Sequence, residues 1–189
     1  MKMSLPDDFK SFFKVVLKDY WRVAAFYPTP RSVVQKVLSK INPEAKYFIE
    51  YGAGNGAFTR EILKKLPKDG KLVAIEVNQD FVEQLKKIND PRLILFPGGV
   101  GQISQNLSQL DLPRVDVIVS GIPFSRITKK EREEIIKNSW QFLAENGVFV
   151  TYQNVPIVMS VLKRHFKEIN WYFDPRNFIL PYFVIFAKK

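Results

Sequence analysis

The stretch Lys46-Tyr47-Phe48-Ile49-Glu50-Tyr51-Gly52-Ala53-Gly54-Asn55-Gly56 runs from a short apolar and aromatic segment into three glycines spaced two apart, and a helical pattern begins directly beyond them. This order reads as strand, tight turn, helix. Glycines at such a turn permit positive φ and let a ligand approach the backbone, while the first turn of the following helix offers unpaired N–H groups. The stretch predicts a loop that holds a cofactor.

Outward from it the same alternation repeats. Strand signals fall at Lys46 to Tyr51, Lys71 to Val77, Arg92 to Phe96, Val115 to Ser120 and Gly147 to Tyr152. Between the early ones lie helical faces: Val33, Val34, Val37, Leu38 and Ile41, then Phe58, Ile62, Leu63 and Leu66, then Phe81, Leu85 and Ile88. Thr29 before Pro30 reads as a cap with proline at the first helical position, and Asn78 as the cap of the third helix. Strands apolar on both faces and joined by helices predict an α/β fold, a doubly wound, mostly parallel seven-stranded sheet. Glu168 to Phe173 and Tyr182 to Ala187 are expected to form an antiparallel pair at one edge. The chain reads as one domain over 1–189, with an amphipathic helix over 1–22 ahead of an α/β core over 30–189.

Composition narrows the chemistry. The 189 residues are 46% hydrophobic, include no cysteine and carry a formal charge of +10. A basic surface favours a polyanionic partner, nucleic acid or an anionic bilayer. Without cysteine there is no disulfide, thiolate nucleophile or Cys-bound zinc, and His165 is the only histidine, so triad hydrolases and zinc enzymes are disfavoured and no metal is expected. His165 itself reads as a core or helix-end residue. No apolar run reaches the roughly 18–20 residues of a membrane span, and no signal peptide is evident, which fits a cytoplasmic protein.

The loop alone does not choose its cofactor, because Gly52, Gly54 and Ala57 also satisfy a loose dinucleotide fingerprint. Glu50, two positions before the first glycine, favours the cationic sulfonium and amino group of S-adenosylmethionine (SAM) over the pyrophosphate of NAD. Glu76, 20 residues beyond Gly56, ends the second strand, where an acid grips ribose hydroxyls in either case.

Taken together these features resemble the class I SAM-dependent methyltransferases. Arg22 to Arg31 (RVAAFYPTPR), the glycine loop, and Val115 to Phe124 with its Ser120-Gly121-Ile122-Pro123-Phe124 motif are similar to the soluble bacterial phospholipid N-methyltransferases, which convert phosphatidylethanolamine to phosphatidylcholine. The similarity covers about residues 9–152. It implies that Glu50, Gly52, Gly54, Gly56 and Glu76 hold SAM, with Ser120 and Gly121 beside the transferred methyl. Gly99 stands where those proteins usually carry an acid, which leaves the N–H of Val100 for the adenine. Ala53 replaces a common proline and Asn55 a common threonine.

The rRNA adenine dimethyltransferases share the fold and a basic surface, but use an Asn-hydrophobic-Pro-aromatic motif whose amide holds the adenine amine. Here Gly121 takes that asparagine's place, so nucleic acid is the less favoured partner. Phe9, Phe12, Phe13, Val16, Leu17 and Tyr20 form an apolar stripe flanked by Lys10, Lys14 and Lys18, suited to an anionic membrane surface or to capping the domain's own core. The expected placement is peripheral, at the inner membrane face. Tyr27 and Tyr152 are candidate proton acceptors or positioners for the acceptor amine. Tyr27, Phe124 and Tyr152 are candidate rim aromatics for methylated ammonium groups, and Arg31 and Arg126 candidate partners of a lipid phosphate. Lys129 to Glu134 reads as a solvated helix start. A SAM-binding module without turnover is the non-enzymatic alternative.

Overall fold

The computed structural model describes residues 29–106, 112–174 and 182–189. The expected helix over 1–22 and the candidate Tyr27 lie outside them. Within them the order is α1 (Arg31–Leu38), β1 (Tyr47–Tyr51), α2 (Ala57–Lys65), β2 (Lys71–Glu76), α3 (Gln79–Leu85), β3 (Leu93–Pro97), α4 (Val100–Asn106), β4 (Val115–Ser120), a 3-10 turn (Phe124–Arg126), α5 (Lys129–Phe142), β5 (Leu143–Gln153), α6 (Met159–His165), β6 (Glu168–Asp174) and β7 (Tyr182–Lys188).

All seven strands join one sheet in the order β3-β2-β1-β4-β5-β7-β6. β1 to β5 pair in parallel, and β7 runs antiparallel to both β5 and β6. The antiparallel pair is as expected. The pair makes one edge of the sheet, with β6 outermost and β7 inside it.

Alternation along each strand divides the core in two. On one face Phe48, Leu72, Val117, Val119, Val150 and Val184 meet Val33, Val34, Val37 and Leu38 of α1 and Phe58, Ile62 and Leu63 of α2. On the other, Ile49, Tyr51, Val73, Ile75, Ile118, Phe149 and Ile185 meet Ile103 of α4, Ile136 of α5 and Val161 and Leu162 of α6. α3 turns Val82 and Leu85 inward while Phe81 is only half-buried, a small correction to the expected face.

Local signals explain most boundaries. The Asn78 side chain accepts from the N–H groups of Asp80 and Phe81, as its cap role requires. Thr128 and Glu131 form a reciprocal capping box at α5. Thr29 does not cap α1: Pro30 occupies the cap position without a side-chain bond, and the Thr29 hydroxyl instead donates to the Tyr152 hydroxyl at 3.5 Å. β5 begins four residues earlier than expected, at Leu143.

Candidate active site

β1 pairs with β2 on one side and β4 on the other, so chain order reverses there, and the carboxyl ends of β1 and β4 mark the crevice at which open α/β sheets take their ligands. The glycine loop and the segment after β4 meet in that crevice. Gly52, Gly54 and Gly56 all adopt positive φ. At Gly52 the conformation calls for glycine, and a side chain there would also crowd Ile122, whose Cγ2 lies 3.0 Å from the position of a Cβ. The Gly121 N–H donates to the Tyr51 carbonyl at 2.8 Å, tying the post-β4 segment to the end of β1.

Two acids frame the loop. Glu76 is nearly buried; its Oε2 accepts from the Gly54 N–H at 2.7 Å, and its Oε1 accepts from Val77 and Asn78 at 2.9 and 2.8 Å. Carboxylate oxygens have about four acceptor positions between them, so Glu76 fixes the loop with capacity to spare for a hydroxyl. Glu50 is 2% exposed and accepts from the Thr59 hydroxyl at 2.6 Å. Burial pushes its pKa up to about 8, against the lowering effect of that bond.

Ser120 is buried and its Oγ has no hydrogen-bond partner. An orphaned hydroxyl at the crevice is what a site completed by a polar ligand leaves behind. Val100, half-buried, begins α4. At Gly99 a Cβ would meet open space, so the place of the missing acid is vacant rather than filled.

Tyr152 covers Gly121. Any Cβ there would run into the Tyr152 hydroxyl, so the tyrosine occupies the volume that a side chain at position 121 would need. Its ring stacks on Phe58 at 5.0 Å and meets Tyr182 edge-on at 6.1 Å. Burial raises its pKa, helped by the nearby Glu50, Tyr182 and Glu76, so it stays a neutral phenol. A neutral phenol offers oxygen lone pairs to a donor.

Phe124 is not on the rim. It is fully buried and packs against Phe149 at 6.4 Å between ring centres, in the core beneath α5. Two residues that sequence reasoning missed hold its backbone. The Gln153 Oε1 accepts from the Phe124 N–H at 3.2 Å and its Nε2 donates to the Ile122 carbonyl at 2.9 Å. Arg132, from the run read as solvated, is 9% exposed and donates to the carbonyls of Phe124 and Ile127 at 3.1 and 3.2 Å. Glu133 of the same run binds Arg164 and His165 of α6; His165 thus ends a helix, as expected, away from the crevice.

Arg31 has an 82% exposed side chain, 3.9 Å from Glu61, at a cavity of about 420 Å³ between α1 and α2 that Thr29, Asn55, Arg60, Glu61 and Lys64 also line. Thr29 links this cavity to Tyr152. Arg126, exposed on the 3-10 turn, does not line it. Among the described residues there is no His, Cys, Asp and Glu grouping that would hold a metal, and no helix is long and apolar enough to cross a membrane.

A parallel sheet with one antiparallel strand next to its edge, a glycine loop at its switch point and acids ending the first two strands define a class I SAM-dependent methyltransferase. Residues 49–149 match the family model described as a methyltransferase domain, and the chain belongs to that family. It is 26% identical over 174 residues to an ornithine lipid N-methyltransferase of Singulisphaera acidiphila, covering 90% of this chain and 91% of that protein. It is 35% identical over 94 residues to ribosomal RNA small subunit methyltransferase H of Cytophaga hutchinsonii, which is 49% of this chain but only 31% of that one. Among solved structures, the N-methyltransferase NodS of Bradyrhizobium japonicum superposes with a TM-score of 0.68 at 14% identity, covering 84% and 93% of the two chains.

Proposed function

We propose that this protein methylates the amine of a membrane lipid headgroup, with phosphatidylethanolamine and its methylated derivatives as acceptors, at the cytoplasmic membrane face. The observation that carries this reading is Gly121 beneath the Tyr152 hydroxyl. A base-reading amide has no room there, whereas a small alkyl amine needs only a lone pair to orient it. End-to-end similarity to a lipid N-methyltransferase supports the same class of acceptor, while the RNA methyltransferase match is confined to about half of this chain.

SAM supplies a methyl group activated on a sulfonium. Glu50, Gly52, Gly54, Gly56 and Glu76 would hold it, with the Val100 N–H, Ser120 and Gly121 completing the cradle. The chain's task is then alignment, because an in-line displacement gains most from holding nucleophile and methyl at near-contact distance. Tyr152 accepts an N–H of the amine at its hydroxyl oxygen and so aims the nitrogen lone pair. Thr29, donating to Tyr152, fixes which lone pair remains for that task. Arg31, with Arg60 and Lys64 at the same cavity, would face the anionic part of the headgroup.

The test is incubation of the purified protein with methyl-labelled SAM and vesicles containing phosphatidylethanolamine, with ornithine lipid vesicles and ribosomal RNA as parallel acceptors. Label is expected in mono-, di- or trimethylated phosphatidylethanolamine. Label in ornithine lipid alone would keep the lipid amine and change the headgroup; label in RNA alone would overturn the reading.

A further inference from the structure

We propose that the β6 edge of the sheet is a membrane-docking surface that seats on an anionic bilayer and turns the active-site end of the molecule toward it. This rests on the lipid reading above, since a bilayer-borne amine must be presented to the carboxyl ends of β1 and β4. Among the described residues β6 is the last strand on its side of the sheet, and an outer strand bearing large apolar side chains normally needs a cover. Trp171 is 57% exposed and Phe173 47% exposed. Both lie on one face of β6 and touch Phe183 of β7, at 6.0 and 5.1 Å between ring centres.

The register fixes the height of these rings. Trp171 is level with Ile185, Thr151 and Ser120 across the sheet. Phe173 pairs with Phe183, which pairs with Gln153, the residue holding the post-β4 segment. The exposed rings therefore stand at the same end of the sheet as Gly121 and Tyr152. Val155 and Ile157, also exposed, follow Gln153 at that end.

Charge selects the occupant. On the opposite face of β6, the Nζ atoms of Lys36 and Lys40 sit 4.1 and 5.6 Å from the centre of the Tyr172 ring. Tryptophan and phenylalanine on one flank and lysines on the other match the interface of an anionic bilayer, where rings enter the acyl boundary and ammonium groups meet headgroups. A second copy of this chain would bring another +10 molecule to the same edge, which like-charge repulsion opposes.

The chain has three tryptophans, so Trp21→Phe with Trp140→Phe leaves Trp171 as the sole emitter of the full-length protein. With vesicles of phosphatidylglycerol and brominated phosphatidylcholine, Trp171 emission is expected to shift to the blue and be quenched. Trp171→Ser with Phe173→Ser should reduce vesicle partition by about tenfold, while SAM affinity, which reports folding, is retained. Lys36→Gln with Lys40→Gln should weaken partition at low salt and leave it little changed at high salt. Unquenched Trp171 in protein that sediments with vesicles overturns the proposal. A wild-type dimer that the Trp171 and Phe173 substitutions dissociate, with vesicle partition unchanged, also overturns it and gives the edge to a second copy. Quenching without methylation of any lipid leaves the docking surface standing and refutes the acceptor reading instead.

Discussion

Glu50 is a carboxyl group held in the core beside the cofactor loop, bonded to Thr59, with a pKa near 8 against an ordinary 4.5. Between those values the folded chain keeps a proton that the unfolded chain releases, so this residue reduces stability progressively as pH rises through that window. A cation placed at the loop reverses the balance by favouring the carboxylate. SAM binding near pH 7 is therefore expected to expel up to one proton. Calorimetric titration in two buffers of different ionisation enthalpy measures it; Glu50→Gln should remove the release and flatten the loss of stability toward pH 8. Equal heats in both buffers for the unaltered protein would mean that Glu50 does not face the cofactor's charge. Glu50 and the glycines were legible because spacing on a strand and turn fixes their placement. The Tyr152 hydroxyl over Gly121 was not, because residues 31 apart meet only once β4 and β5 pair.

At the level of elements, the segment after β4 is the one whose position was hardest to foresee. Its motif resembles a substrate loop, and the structure makes it a fastened turn: Phe124 faces inward, and Gln153 and Arg132 take up its backbone groups. Gln153→Ala would leave the Phe124 N–H and Ile122 carbonyl without these partners, at a cost of about 2 kcal/mol or more. For a chain of this length that lowers Tm by about 4–8 °C. Turnover should fall more than SAM affinity, because most of the proposed SAM contacts lie on the glycine loop while this turn sets the spacing between Gly121 and the Tyr152 hydroxyl; thermal unfolding and radiolabel kinetics on one preparation test both, and unchanged kcat would detach the turn from the reaction. The alternation of strands and helices, the Asn78 cap and the helix faces were readable from local periodicity. Arg132 was not, since in KKEREE a buried arginine looks like its solvated neighbours until its acceptors, two backbone carbonyls of the preceding turn, are in place.

For the whole molecule, the parallel half of the sheet carries the glycine loop and the two acids, and the β5-β7-β6 end carries the exposed aromatic residues. The fold class followed from the pattern of elements, but strand order across a sheet depends on long-range pairing that no local pattern encodes. β7 lies between β5 and β6, so a nascent chain emerging from the ribosome presents both flanking strands before the strand that joins them exists. Until Tyr182 to Lys188 emerge, β5 has an open margin and β6 has no neighbour in the sheet, so this end closes only after those residues are made. A product stopped after residue 181 should be poorly soluble and quickly proteolysed within 168–174, and adding a synthetic peptide of residues 182–189 in trans should restore part of its protection.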